Sequence, residues 1–249
     1  MSEQSKAYHS VNFGDKNTWD DWHLVPASRP VIDPPDLKTK YVDIPGGNGV
    51  LDYTEALTGY PLFENRTGSI KFYVMNGYQE WYELYSEICD YLHGEYMSMT
   101  LDDDPEWYFE GRFSVNQWES SKDYSTITID YDLYPYKKRI TDTLEDWLWD
   151  PFNFEKDYVH GYKDIKVSGT TTVKIVNAKM PVVPIFHVKS DDGWGLNYSH
   201  VGENTRSVSD IQMADGDFMN PNIVYKGGLI EATFIGYGTV SIEFREGRF

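Results

Sequence analysis

The side chains best equipped for chemistry crowd into "TWDDWHLVPASRPVIDPP", residues 18–35, where Asp20, Asp21 and His23 sit beside Trp19 and Trp22. Two carboxylates and an imidazole could ligate a metal or exchange protons. A metal, however, needs ligands at defined spacing, and adjacent aspartates point in different directions in most backbones. The stronger reading is architectural: an aspartate caps a turn while the two indoles anchor the segment to a surface. Pro26, Pro30, Pro34 and Pro35 force an extended course, because proline fixes φ and lacks a donor and so is barred from helix interiors and central strands. Trp19 and Trp22 are therefore the expected anchors of a strap, laid against its own domain or a neighbouring subunit.

The other candidates are weaker. Asp102, Asp103 and Asp104 in "LDDDPE" invite calcium, but the spaced D-x-[DN]-x-[DN]-G loop with its distal Glu is absent, and Asp-Pro is first a turn signal. Glu106 and Glu110, at i and i+4 of an expected strand, would share a face about 13 Å apart, beyond the ~5–9.5 Å of a glycosidase pair. The histidines (His9, His23, His93, His160, His187, His200) are scattered, with no H-E-x-x-H and no G-x-S-x-G. "PGGNG" and "YKGG" lack a phosphate-loop context. Cys89 falls on an apolar stripe, where a small buried hydrophobe is the default. No catalytic residue, metal site or cofactor is expected.

At 249 residues the chain suggests two domains, and its 16% aromatic content favours pleated, half-buried surfaces. The net charge of −18 is uneven: residues 1–137 hold 24 acidic and 10 basic side chains, net −14, and residues 138–249 hold 16 and 12, net −4. Gripping nucleic acid needs clustered Lys and Arg, which are missing, whereas an acidic wall would let DNA slide past without sticking. One cysteine cannot close an intramolecular disulfide, so folding in a reducing compartment is expected. With no signal pattern at the N-terminus and no apolar run of ~18 residues, a soluble protein synthesised in the cytoplasm is expected, with no membrane partner.

These residues must be positioned mainly by strands. "KYVDIPGGNGVLDYTEAL" reads as two strands about a Gly-rich turn, and "GSIKFYVM" as a third. In "GYQEWYELYSEICDYLHGEY" the apolar positions Trp81, Leu84, Tyr85, Ile88, Cys89 and Leu92 give the stripe of an amphipathic helix, with Gly94 as its stop. A meander follows in "EYMSMTL", "EWYFEGRFSVNQW" and "YSTITIDYDLY", the last with Ile127, Ile129, Tyr131 and Leu133 on a dry face. "YPYKKR" closes this unit, placing a boundary near residue 137, and "TLEDWLWDPFNFEKD" reads as a helical or irregular connector. Beyond it, "YKDIKVSG", "TTTVKIVNA", "PVVPIFHVKS", "NIVYKG", "GLIEATFIG" and "GTVSIEFREG" read as short strands of a β-sandwich. The expected fold is mainly β with one prominent helix in the N-terminal domain.

Four segments carry a family resemblance: "HSVNFGDKNTWDDWHLVPASRPVIDPP", "YVDIPGGNGVLDYTEALTGYPLFENRTGSIKFYV", "YLHGEYMSMTLDDDPEWYFEGRFSVNQW" and "STITIDYDLYPYKK". Over residues 9–138 they resemble, in order, the N-terminal domain of the distal tail protein (Dit) of siphophages and prophages of Gram-positive bacteria. The resemblance implies a tail-tube-like β domain over 1–137, followed by a galectin-like β-sandwich over 138–249, with the latter match resting on "GLIEATFIGYGTVSIEFREGRF". It implies a homohexameric ring in the virion, at the distal end of the phage tail. The tail tube protein would sit above it and the tail-tip or tail-associated lysin protein below, with a receptor-binding protein attached in some phages and DNA passing through the channel. A second reading is host cell-wall polysaccharide recognition through exposed aromatics of the sandwich, Trp194, Tyr198 and Tyr237. A third, a glycan hydrolase using the many carboxylates, is separable by zymography, where no clearing is expected.

Overall fold

The computed structural model describes residues 8–75, 81–120, 124–145, 161–202 and 204–249. Expectations for the connector at 146–157 and for His160 lie outside these residues. The chain divides into two compact units, residues 1–137 with Phe249, and residues 138–248. The strands are β1 (Val11–Phe13), β2 (Lys16–Asn17), β3 (Leu24–Pro26), β4 (Tyr41–Asp43), β5 (Val50–Asp52), β6 (Arg66–Val74), β7 (Tyr96–Leu101), β8 (Trp107–Ser120), β9 (Ser125–Leu133), β10 (Lys137–Arg139), β11 (Ile165–Asn177), β12 (Ile185–Ser190), β13 (Leu196–Gly202), β14 (Val208–Met213), β15 (Gly216–Met219), β16 (Gly228–Glu243) and β17 (Gly247–Arg248). The helix α1 spans Trp81–Leu92. The chain is thus mainly β with one helix among the described residues.

In the first unit the strands run β2-β1-β7-β8-β9-β6-β3, each neighbour antiparallel. Alternation in β9 buries Ile127, Ile129, Tyr131 and Leu133 and turns Thr128, Asp130 and Asp132 outward, as a one-sided sheet requires. Thr126 departs from that pattern and is buried. The dry face is covered by α1, whose Leu84, Ile88 and Leu92 join Phe13, Phe72, Phe113 and Met99 in one core. Three leucine-class side chains at i, i+4 and i+8 make one stripe, which is why this segment is helix beside a sheet of period two. Gly94, at φ 85°, ends α1 in the left-handed conformation that other residues adopt reluctantly. A β-bulge interrupts the β8–β9 register between Val115 and Gln117, and Val115 N–H donates to His93 Nδ1 at 3.1 Å.

In the second unit β16 is the organiser. Its whole length from Gly228 to Val240 pairs with β11; its other neighbours are β13, opposite residues 230–235, and β12, opposite residues 238–243. The sheet cannot be flat. Phe186 is opposite Ile242, eight residues from Phe234, or about 26 Å along a straight strand. Yet the Phe186 and Phe234 ring centroids lie 6.2 Å apart. The strands therefore turn a corner at Gly236-Tyr237-Gly238, folding the sheet onto its own core of Phe186, Tyr198, Tyr225 and Phe234. Gly238 has φ 149°, and a Cβ there would lie 2.3 Å from Lys189 O.

This corner corrects the segmentation read from sequence. The expected pairs of short strands at 161–178 and 228–247 are single long strands, because their glycines bend the chain without ending its ladder. "NIVYKG" makes only the bridge Val182↔Tyr225. Strands β13, β14 and β15, with weaker apolar alternation, escaped the sequence pattern.

Candidate functional site

The strap begins with a side-chain-built turn. Asn17 Oδ1 accepts from the N–H groups of Trp19 and Asp20, and Asp21 Oδ2 accepts from Asn17 N at 2.7 Å. Asp21 is thus occupied as a turn acceptor. His23, at φ 54°, stacks on Trp19 and sets Nδ1 2.9 Å from Trp19 O. Trp22 is fully buried in the first core, edge-on to Tyr91, and donates Nε1–H to Glu87 of α1 at 3.2 Å. Trp19 is half-buried beneath Tyr8, with ring centroids 4.2 Å apart. The chain then forms β3, an edge strand in which proline is tolerated, with Pro26 opposite Phe72. Further along, the buried Arg66 holds the strap by donating Nη1–H to Asp33 O and Nε–H to Pro135 O. Burial pushes the Arg66 pKa down.

The three aspartates between β7 and β8 each serve a different neighbour. Asp102, buried, accepts from Ser10 Oγ at 2.6 Å and Asn12 Nδ2 at 2.9 Å. Asp103 accepts from Arg29 Nε at 2.8 Å and faces His9 Nδ1 at 2.9 Å. Burial works against its ionisation, but the His9 and Arg29 hydrogen bonds outweigh it and leave the carboxyl below its usual range. Asp104 pairs with Lys137. The turn is a staple joining the N-terminal hairpin, the strap and the end of the unit. Among the described residues no group of three or more His, Cys, Asp or Glu could hold a metal ion. Glu106 lies in this turn and not in β8, which removes the supposed same-face relation to Glu110.

Between the strap and β6 an arm projects. Its hairpin, β4 and β5, pairs Tyr41↔Asp52, Val42↔Leu51 and Asp43↔Val50, and all six residues are exposed. The arm closes on the unit through the Leu37↔Phe63 bridge. Leu57 is 99% exposed.

In the sandwich, Trp194 is 81% exposed at the tip of the β12–β13 loop and Tyr237 is 61% exposed at the corner of β16. The loop is well tied: Trp194 N donates to Asp192 Oδ1, Gln212 Nε2 to Trp194 O, Gly195 N to Ser190 Oγ, and Asp191 N to Tyr237 O. Tyr198 does not belong with them. It is fully buried, its hydroxyl 2.8 Å from that of Tyr225, and burial raises its pKa. The expectation of an exposed Tyr198 fails because Leu196, Tyr198 and His200 are the inward positions of β13.

No protein-family model and no curated protein matches the sequence. Among solved structures, the chain is similar to the crystal structure of SPP1 Dit (gp 19.1), described as a paradigm of the hub adsorption apparatus in Gram-positive infecting phages. The similarity covers 96% of this chain and 99% of that one, with a TM-score of 0.56 at 12% identity. The chain has the Dit fold. The hairpin of the arm is the pair of strands read in "KYVDIPGGNGVLDYTEAL"; that both its faces stand exposed was not legible. One feature escaped the sequence reading: His187, set 2.7 Å from Asp217 by Nδ1 and 2.7 Å from Glu243 by Nε2. It carried no sequence signal, because these residues lie on three strands and meet only through strand pairing. The Asp217 hydrogen bond, opposed by burial and helped by Glu243, raises the His187 pKa.

Proposed function

We propose that this chain is a structural hub of a phage tail tip, with six copies closing a ring through their N-terminal units. The observation that carries the reading is likeness to SPP1 Dit over nearly the whole of both chains. The tail tube protein would stack on one side of the ring and the tail-tip or tail-associated lysin protein on the other. The sandwich, galectin-like on this reading, would offer a mount for a receptor-binding protein. On this reading the solvent face of the first sheet, which carries Glu110, Asp130 and Asp132 with Arg112 opposite Asp132, would form a wall for DNA. That face resists phosphate over a Debye length of ~8 Å at physiological salt. No chemistry is assigned to the chain, since its aspartate clusters are engaged in turns and strand ties. Negative-stain imaging with mass measurement tests the ring: sixfold particles of six times 28.9 kDa are expected. A monomer at every concentration, alone and with tail partners, would defeat it.

One observation favours a second role for the sandwich. Trp194 presents a solvent-facing indole on a loop whose backbone is tied by hydrogen bonds, one of them from Trp194 N–H to Asp192 Oδ1, and an exposed ring of this kind can stack on a sugar. Binding of wall polysaccharide by the full chain, lost in Trp194→Ala, would support it, with Tyr237→Ala as the neighbouring probe. Equal binding by wild type and Trp194→Ala would remove it.

A further inference from the structure

His200 is 1% exposed at the margin of the second core, its ring centroid 5.5 Å from that of Tyr198 and 5.8 Å from that of Tyr225. Among the described residues no protein group completes a hydrogen bond to either ring nitrogen. Buried polar groups are paired as a rule, so an imidazole with both nitrogens unmet calls for an explanation. The fold supplies one. An open cavity of about 390 Å³ is lined by Arg206, Ser207, Val208 and Asn222, within the ~300–1,000 Å³ of small-ligand sites. Two observations put the imidazole at its wall. Val208 is directly opposite His200 in the β13–β14 ladder, and residues so paired share a face. Burial lowers the His200 pKa and the main chain of Arg206 opposes that shift, so the ring lies beside a residue of the cavity.

A bulge makes that pairing. Tyr198 faces Ile211 and His200 faces Val208, so Ser209 and Asp210 both stand opposite Ser199, with Asp210 at φ 56°. Bulges of this kind re-aim side chains beside functional sites. The surrounding loops are tied in place: Thr205 Oγ1 accepts from Lys226 N at 3.0 Å, Asn204 Nδ2 donates to Gly227 O at 3.1 Å, and Asn222 N donates to Asn220 Oδ1 at 3.0 Å. The polar groups of the cavity share one sense, since guanidinium, hydroxyl, amide and imidazole each have a proton to donate. Among the described residues Arg206 is the one charged side chain lining it, and no carboxylate meets that guanidinium, in a chain whose 40 acidic side chains outnumber 22 basic ones. A wall of donors with one unpaired arginine selects an oxyanion. Val208 offers an apolar side to the carbon skeleton that bears it.

We propose that this cavity binds a small oxyanion, phosphate or carboxylate, borne on a polyol. Arg206 pairs with the anion, Ser207 and Asn222 donate to it or to neighbouring hydroxyls, and His200 donates from the buried side. The site depends neither on the ring nor on Trp194, which precedes the first residue of β13, whereas His200 lies near the last. The test is isothermal titration calorimetry of the full chain with glycerol 3-phosphate, with glucuronate, and with glycerol as the uncharged control. The variants are Arg206→Ala, Arg206→Lys, Asn222→Ala and His200→Gln, with near-UV circular dichroism as the check on folding.

Saturable uptake of at least one of the two anions is expected, with none of glycerol, and the anion taken up identifies the source as phosphate or carboxylate. Arg206→Ala should weaken binding by about tenfold or more, the loss of a charge-assisted pair, and Arg206→Lys by less. Asn222→Ala and His200→Gln should each weaken it by a smaller factor. If His200→Gln does not fold, the exposed Arg206 and Asn222 still decide the matter. Saturable uptake of neither anion would leave His200 to solvent and overturn the site. Binding that Arg206→Ala leaves unchanged would overturn the cavity as its place, and glycerol bound as tightly as the anions would overturn the ligand class.

Discussion

At the scale of residues, the segment that looked most like a reaction centre is a set of ties, and its chemistry can be measured as stability. Trp22→Ala removes a fully buried indole from the first core and should cost about 3–5 kcal/mol in denaturant unfolding. A change under 1 kcal/mol would mean that the strap is not held by this ring. Asp102→Asn forces an amide N–H against one of two donors, Ser10 and Asn12, and should cost about 1–3 kcal/mol. Two histidines of the sandwich should give opposite pH dependences. The His187 pKa is raised, chiefly by Asp217, so its contribution is complete below about pH 6.5 and is lost as pH rises through the higher folded value. The His200 pKa is lowered by burial, so its contribution is complete above about pH 6.5 and declines as pH falls toward the lower folded value. Urea melts across pH 5–8 should show the loss on the alkaline side vanish in His187→Gln and the loss on the acid side vanish in His200→Phe; unchanged profiles would refute both assignments.

At the scale of elements, legibility followed locality. The helix was readable because Leu84, Ile88 and Leu92 are spaced within one segment, and β9 because its alternation is internal to nine residues. The long strands β11 and β16 were not, because the same glycines that end a short strand can bend a long one. Which of the two happens depends on whether a partner strand continues across the bend. Gly238→Ala tests the corner directly: an L-residue at φ 149° with its Cβ against Lys189 O should destabilise the sandwich by about 1–3 kcal/mol or more. Calorimetry should show that loss in the sandwich transition alone; a drop confined to the N-terminal transition would contradict the topology described for β16. The turn at Asp102–Asp104 was likewise readable as a turn. That its three carboxylates serve three different neighbours was not, since Ser10, Asn12, His9 and Arg29 lie more than 70 positions away.

At the scale of the whole molecule, the two cores are separate sets of residues, and the ring reading assigns assembly to the first. Residues 1–137 expressed alone should therefore fold and still form sixfold rings, seen by negative stain. A folded fragment that stays monomeric would move the assembly contacts into the sandwich. Sequence by itself determined the β-rich class, the amphipathic helix at Trp81–Leu92, the acidic bias of residues 1–137 and the strap of tryptophans and prolines. All of these are set by composition or by periodicities within about a dozen residues. Only the tertiary structure decided that Tyr198 faces inward while Trp194 and Tyr237 face out, that β16 turns a corner, that His187 meets two carboxylates, and that the arm stands uncovered. Each of these depends on which strand lies beside which, and strand pairing joins residues far apart in the chain through backbone groups that every residue carries alike.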